Sequence, residues 1–294
     1  MEPKGKLSLA KATLVRKLHL KKHRDEFGLF IAEGNRVVEQ ILVNRRIAVE
    51  FVVVREDVEG RSISGLGSGS GSDSGSGSGS NSRLDSDSDS GSDTDIYEAG
   101  HSLFEELATT ENPQNMFAVC RTPMPADAGE LLKGDGVILA LYQMSDPGNL
   151  GTILRSAAWF GTRGVFLSTG TVDLYNPKVV RSMAGSTGSL PVASGFLAIF
   201  LEQAKKAGWR IFLLDAGENS KQLSAIRPGK RSVLVLGSEA HGLPQPIKDA
   251  YTCVKIESAG DTPHVESLNA SVSASIALYQ LSGHLRDFGA SRTK

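Results

Sequence analysis

Apolar positions along this chain follow two alternating patterns. Short continuous runs, such as Val137-Ile138-Leu139-Ala140-Leu141, are too short for a helix and suit strands buried on both faces. Between them, apolar residues recur at three- and four-residue spacing, as at Leu150, Ile153, Leu154 and Ala157, which marks one helix face. In the C-terminal half, runs at 137–141, 165–167, 211–214, 233–236 and 253–256 alternate with helix-length segments at 150–160, 178–184 and 196–207. The alternation predicts an α/β fold with a mostly parallel sheet and helices on both faces.

The N-terminal third mixes the same signals on a smaller scale. A basic helix is expected over 6–23, a short strand within 27–34, and a helix over 35–44 that Asn35 caps. A second strand follows at 47–54, a helix at 102–109 and a returning strand at 116–120. A Pro-interrupted linker, Thr122-Pro123-Met124-Pro125, then separates a small α/β domain (1–125) from a larger one (135–294).

The last helix, expected over 270–288, has two apolar rows. Val272, Ile276 and Tyr279 form one; Ala274, Ala277, Leu278, Leu281 and Leu285 form the other. Two apolar sides need two partners, which suggests the sheet and a second subunit, against the alternative of a wholly intramolecular sandwich.

Composition changes this picture in one place. Residues 62–95 are almost entirely Ser, Gly and Asp, with Leu66 and Leu84 nearly the only sizeable apolar side chains. Such a stretch cannot bury enough surface to offset chain entropy, so the region at about 57–96 reads as a disordered insert. It is a flexible spacer or a kinase substrate tract.

Net charge is −1, but unevenly spread. Residues 1–50 carry 11 Lys/Arg against 6 Asp/Glu, whereas 57–95 carry 2 against 8. A nearly neutral chain can therefore still offer a basic face to a polyanion. No apolar run approaches the roughly 20 residues of a membrane span. Cys120 and Cys253, the only cysteines, give neither a disulfide framework nor a metal-ligand cluster, which suggests an intracellular, reducing compartment, cytoplasm or organelle. The basic, leucine-containing residues 1–22 are read as the first helix of the domain rather than a transit peptide. The sequon Asn269-Ala270-Ser271 is discounted, because nothing resembles a secretory signal.

Candidate chemistry gathers in three loops that follow predicted strands. The first is Ser145-Asp146-Pro147-Gly148-Asn149, where Asp146 and Pro147 signal a helix start and Arg155 lies one to two turns on. The second, Leu236-Gly237-Ser238-Glu239-Ala240-His241-Gly242-Leu243, permits close backbone approach but lacks a Walker or dinucleotide-binding spacing. Such loops suit a neutral or cationic ligand held by backbone groups. Glu239 is the stronger candidate within it, against a plain capping or pairing role; His241 reads as an exposed loop residue. The third runs from Ile256 through Glu257, Ser258 and His264 to Ser267-Leu268-Asn269. No nucleophile spacing accompanies His241 or His264, so a hydrolase triad is weak. Lys178 and Arg181, in Asn176-Pro177-Lys178-Val179-Val180-Arg181, suit phosphodiester contacts or simply a solvated helix face.

Together these loops resemble the three motifs of the SpoU (TrmH) family of RNA ribose 2′-O-methyltransferases, in the SPOUT superfamily. The matching stretches are Asp146-Pro147-Gly148-Asn149-Leu150-Gly151-Thr152-Ile153-Leu154-Arg155, Leu236-Gly237-Ser238-Glu239-Ala240-His241-Gly242-Leu243 and Glu266-Ser267-Leu268-Asn269-Ala270-Ser271. Residues 21–39 resemble the family's N-terminal RNA-substrate domain.

The resemblance implies a C-terminal trefoil knot, S-adenosylmethionine as cofactor, ribosomal or transfer RNA as partner, and a homodimer. It implies cofactor contacts at Gly237, Ile256 and Leu268, a catalytic arginine at Arg155, and a ribose site shaped by Asn149, Glu239, Ser267 and Asn269. It assigns no metal. The chain departs from the family pattern after Ile256: Glu257-Ser258 replaces the usual Pro-Met, and the connection to Ser267 is about three residues longer. That departure is the best support for the alternative of a non-catalytic RNA-binding relative.

Overall fold

Two sheets organise the chain in the computed structural model, which describes residues 3–57, 94–217, 219–258 and 267–290, with side chains described up to 283. The N-terminal part comprises α1 (Leu9–Leu18), α2 (Lys21–Phe27), β1 (Leu29–Glu33), α3 (Asn35–Asn44), β2 (Val49–Arg55), β3 (Ile96–Ala99), α4 (His101–Leu107) and β4 (Met116–Arg121). Its four-stranded sheet has the order β1-β4-β2-β3, with β4 antiparallel to both neighbours and β3 parallel to β2. The body of the Ser/Gly/Asp insert, residues 58–93, lies outside the described residues.

Two local expectations change here. The single basic helix is two, because the chain extends at Leu20. The Arg24 guanidinium then donates to the carbonyls of Leu18 and His19 at 2.8 and 2.9 Å, satisfying the open end of α1. Asn35 begins α3 rather than capping it. Gly34, at φ +112°, takes the cap position, and the Asn35 backbone N–H donates to Gln114 Oε1 at 2.8 Å.

The C-terminal part comprises α5 (Ala128–Leu131), β5 (Gly136–Leu141), α6 (Pro147–Trp159), β6 (Gly164–Ser168), α7 (Pro177–Ser182), β7 (Val192–Gly195), α8 (Leu197–Lys206), β8 (Arg210–Leu214), β9 (Lys221–Gln222), β10 (Arg231–Leu236), α9 (Gln245–Ala250), β11 (Thr252–Lys255) and α10 (Ala270–Ala290). Its seven strands run in the order β7-β6-β5-β10-β8-β11-β9, every neighbouring pair parallel. Both faces are covered. Leu139 and Leu234 pack with Ile153 and Ala277 on one side, while Ile138 and Val233 pack with Phe166 and Phe200 on the other. This two-sided burial is why the strands read as continuous apolar runs. Because all seven strands are parallel, their carboxyl ends share one edge, where open α/β sheets bind ligands.

The two rows of α10 have different fates. Ala274, Ala277, Leu278 and Leu281 are buried against the sheet, whereas Val272, Ile276 and Tyr279 are exposed. The side chain of Leu285 lies outside the described residues.

Candidate functional site

The site begins with the local chemistry of one turn. Asp146 Oδ1 accepts from the Asn149 backbone N–H at 2.7 Å, and Pro147 supplies a preset φ, so α6 starts as its sequence predicts. That cap holds Asn149 at the end of β5, where three other loops converge.

The loop after β10 folds back on itself. Gly242 N–H donates to the Ser238 carbonyl at 2.9 Å, and His241 N–H donates to Ser238 Oγ at 3.1 Å. A Cβ on Gly237 would stand 2.4 Å from the Gly242 carbonyl carbon, so only glycine lets this loop close. The segment after β11 and the start of α10 complete the enclosure, and the fourth loop follows β8.

The result is a cavity of about 780 Å³, bordered by Asn149, Leu236–Glu239, Lys255–Ser258 and Ser267–Ala270, together with Leu214 and Asp215. A side-chain relay crosses its mouth. Asn269 Nδ2 donates to Asn149 Oδ1 at 3.1 Å, and Asn149 Nδ2 donates to Glu239 Oε1 at 3.2 Å. Asn269 Oδ1 accepts from the Ser271 backbone N–H and hydroxyl, which fixes the amide's orientation.

Of the residues singled out from sequence, Asn149, Glu239, Ser267, Asn269, Gly237, Ile256 and Leu268 all border this cavity. Arg155 does not; it is exposed on α6, about 9 Å along the axis from Asn149. Lys178 is exposed near the start of α6, its Nζ 3.9 Å from Asp146 Oδ2. Arg181 is half-buried and faces the N-terminal domain, donating to Thr109 Oγ1 at 3.3 Å rather than presenting an open cation. His264 and the rest of 259–266 lie outside the described residues.

One lining residue, Asp215, was missed, and Glu257 stood out in the sequence only as a departure from the family pattern. Asp215 pairs with Lys248 at 2.6 Å beside the cavity, and Glu257 accepts from Gln222 Nε2 at its rim. The signal for Asp215 was present: Leu214-Asp215-Ala216-Gly217 follows a strand run, as the other loops do, but belongs to no motif.

The cavity's size suits a small molecule. Ligand cavities commonly span about 300–1,000 Å³. Here four loops surround the space, with Lys255 and three carboxylates (Asp215, Glu239, Glu257) on its border, Asp215 paired with Lys248. Among the described residues, no group of three His, Cys, Asp or Glu could hold a metal ion, and no helix is long and apolar enough to cross a membrane.

A parallel sheet with such a cavity at its carboxyl edge is the arrangement in which open α/β folds bind small molecules. Comparison with known proteins makes the class specific. Residues 136–279 match the SpoU rRNA methylase family, and residues 11–118 match an MRM3-like substrate-binding domain. The chain is 30% identical, over 91% of its length and 94% of the relative's, to the 23S rRNA (guanosine(2553)-2′-O)-methyltransferase RlmP of Bacillus subtilis. Its structure is similar to a TrmH-family RNA methyltransferase of Porphyromonas gingivalis (25% identity, 94% of this chain and 98% of that one, TM-score 0.70). It also shares its fold with an AdoMet-bound rRNA methyltransferase of Sinorhizobium meliloti (24% identity, 96% and 98% coverage, TM-score 0.73). The chain belongs to the SpoU RNA methyltransferase family.

Proposed function

We propose that this protein transfers a methyl group from S-adenosylmethionine to a ribose 2′-hydroxyl of ribosomal RNA. The single observation that carries the reading is the Asn269–Asn149–Glu239 relay across the mouth of the cavity. The cofactor supplies an activated methyl on a sulfonium centre. Gly237, Ile256 and Leu268 would hold it largely through backbone, and the surrounding carboxylates complement its positive charge. The C-terminal loops would thread as the family's trefoil knot.

A ribose hydroxyl is a poor nucleophile, so the protein must align it and assist proton loss. Asn149, Asn269 and Ser267 would supply donors and acceptors for the ribose, with Glu239 accepting from the Asn149 amide. Arg155 lies outside the cavity of its own chain, on the exposed face of α6 that also carries Trp159, and from that face it would approach the hydroxyl and stabilise the developing alkoxide. Lys178 would contact phosphodiester oxygens, and Arg181 would support the RNA-facing surface from the domain seam. RNA gripping falls to residues 1–125 and chemistry to 135–294.

Dimerisation through α6 and α10 is part of the reading. Its support is the exposed apolar face formed by Trp159, Val272, Ile276 and Tyr279. Two free thiols, Cys120 and Cys253, agree with a reducing intracellular compartment.

The test is transfer of labelled methyl from S-adenosylmethionine to ribosomal and transfer RNA by the purified protein. Ribosomal RNA becomes labelled, and Arg155→Ala removes transfer while leaving the circular-dichroism spectrum intact. Absence of label in every RNA pool, with calorimetry showing no cofactor binding, would return the chain to a non-catalytic RNA-binding relative.

A further inference from the structure

One buried ion pair joins the two domains outside the cavity. Arg24, only 5% exposed, donates through Nε and Nη2 to Asp173 Oδ2 at 3.0 and 2.6 Å, while its Nη1 holds the end of α1. A buried guanidinium with several charge-assisted bonds fixes direction as well as distance.

Asp173 passes that constraint on. Its other oxygen accepts from the Tyr175 backbone N–H at 3.1 Å, and its carbonyl accepts from Asn176 N–H at 3.0 Å. Asn176 in turn caps α7, accepting from Lys178 N–H at 2.9 Å. The Tyr175 ring packs 4.9 Å from Phe30 of β1, and Val180 of α7 is buried in the core of the N-terminal domain.

There is no slack between α7 and α6. A Cβ on Gly151 would lie 2.5 Å from Ser182 Cβ and 2.5 Å from the Val179 carbonyl oxygen, so the helices cross at backbone contact. Gly151 lies two residues after Asn149. The contacts run unbroken from Arg24 through Asp173 and α7 to the helix that carries Asn149 and Arg155.

We propose that Arg24 and Asp173 are positioning residues, which register the RNA-gripping domain against the acceptor loop so that the target ribose meets Asn149. The proposal rests on the methyl-transfer reading above. Loosening the pair leaves both binding surfaces intact and misaligns them, and misplacement of reacting groups by about 1 Å can cost ~100-fold in rate.

The experiment uses Asp173→Asn and the milder Arg24→Lys in the full chain. Single-turnover methyl transfer at saturating RNA and cofactor is expected to fall about tenfold or more. Dissociation constants for RNA and S-adenosylmethionine stay within about twofold, and the Arg24→Lys, Asp173→Asn double variant is no slower than the slower single one. Spin labels at positions 43 and 199, on a Cys253→Ser background, report the interdomain distance without requiring activity. A broader distance distribution in the variants supports the proposal. A wild-type rate, or an unchanged distribution, overturns it. If the wild type itself transfers no methyl, the enzymatic reading fails, whereas the distance measurement still decides the seam.

Discussion

Asn269 and Asn149, 120 residues apart in sequence, meet side chain to side chain at 3.1 Å, and the second passes the bond on to Glu239. An amide suits the middle position because it both donates and accepts. Aspartate at 149 could accept from Asn269 but could not donate to Glu239, and it would set two carboxylates together. Asn149→Asp is therefore expected to slow single-turnover methyl transfer by ~100-fold, the scale of losing one oriented polar group in an active site. Cofactor affinity, measured by calorimetry, stays within a few-fold because backbone groups hold most of that ligand. A variant as fast as the wild type would remove Asn149 from the site.

Much of this arrangement was legible in the chain, and the illegible parts share a cause. The strands around Leu139 and Leu234 and the cap at Asp146 follow from local pattern and local chemistry. Strands β7 and β9 do not, since Val192-Ala193-Ser194-Gly195 and Lys221-Gln222 contain no apolar run; pairing with longer neighbours makes them strands. The break after Leu18 depends on Arg24, whose guanidinium also reaches Asp173, a partner 149 residues away. Arg181 and Lys178 look alike as helix-surface cations. Only tertiary contact turns Arg181 toward Thr109, which, with Thr110, donates to the buried Glu33 carboxylate.

Gly237 and Gly242 separate two roles that glycine plays in one loop. A Cβ at 237 would meet backbone at 2.4–2.8 Å on Gly242 and Leu243, so Gly237→Ala must push the loop open. It is expected to lose about 1–3 kcal/mol of stability, the usual cost of overpacking, and to weaken S-adenosylmethionine binding by more than tenfold. At 242 space is free, with Lys248 Nζ 4.0 Å away, but φ is +64°. Gly242→Ala therefore costs about 1 kcal/mol of backbone strain and leaves affinity nearly intact. Calorimetric titration of both variants checks the contrast; equal loss in the two would show that loop closure is not what Gly237 secures.

The exposed row on α10 has a consequence for assembly. Trp159 (83% exposed) and Tyr279 (65%) flank Ile276 and Val272, and Ser156 Oγ lies 2.8 Å from Ser275 Oγ, tying α6 and α10 into one surface. A surface this apolar favours burial, at roughly 25 cal/mol per Å² removed from water. The protein is expected to sediment as a dimer, and Ile276→Asp to sediment as a monomer with unchanged helical content. Wild-type protein that runs as a monomer at micromolar concentration would assign the row to another partner.

The two thiols provide a pH test of the core. Cys120 is fully buried in β4, and burial, with Glu50 adding to it, pushes its thiol up to about 12. Cys253 is half-buried, its thiol raised by burial and then by Asp215. A thiol-specific reagent at pH 8 is therefore expected to modify Cys253 slowly and to reach Cys120 only after unfolding. For Cys120 the folded state holds its proton more tightly than the unfolded chain, whose thiol titrates near 8.5. Its contribution to stability is thus complete below about pH 8.5 and declines as pH rises toward 12, by up to about 1.4 kcal/mol per pH unit. Urea unfolding at pH 8 and pH 10 measures the decline. Cys120→Ala starts lower because it leaves a cavity, yet it should lose less between the two pH values than the wild type. An equal loss in both proteins would show that the buried thiol does not set the alkaline limb.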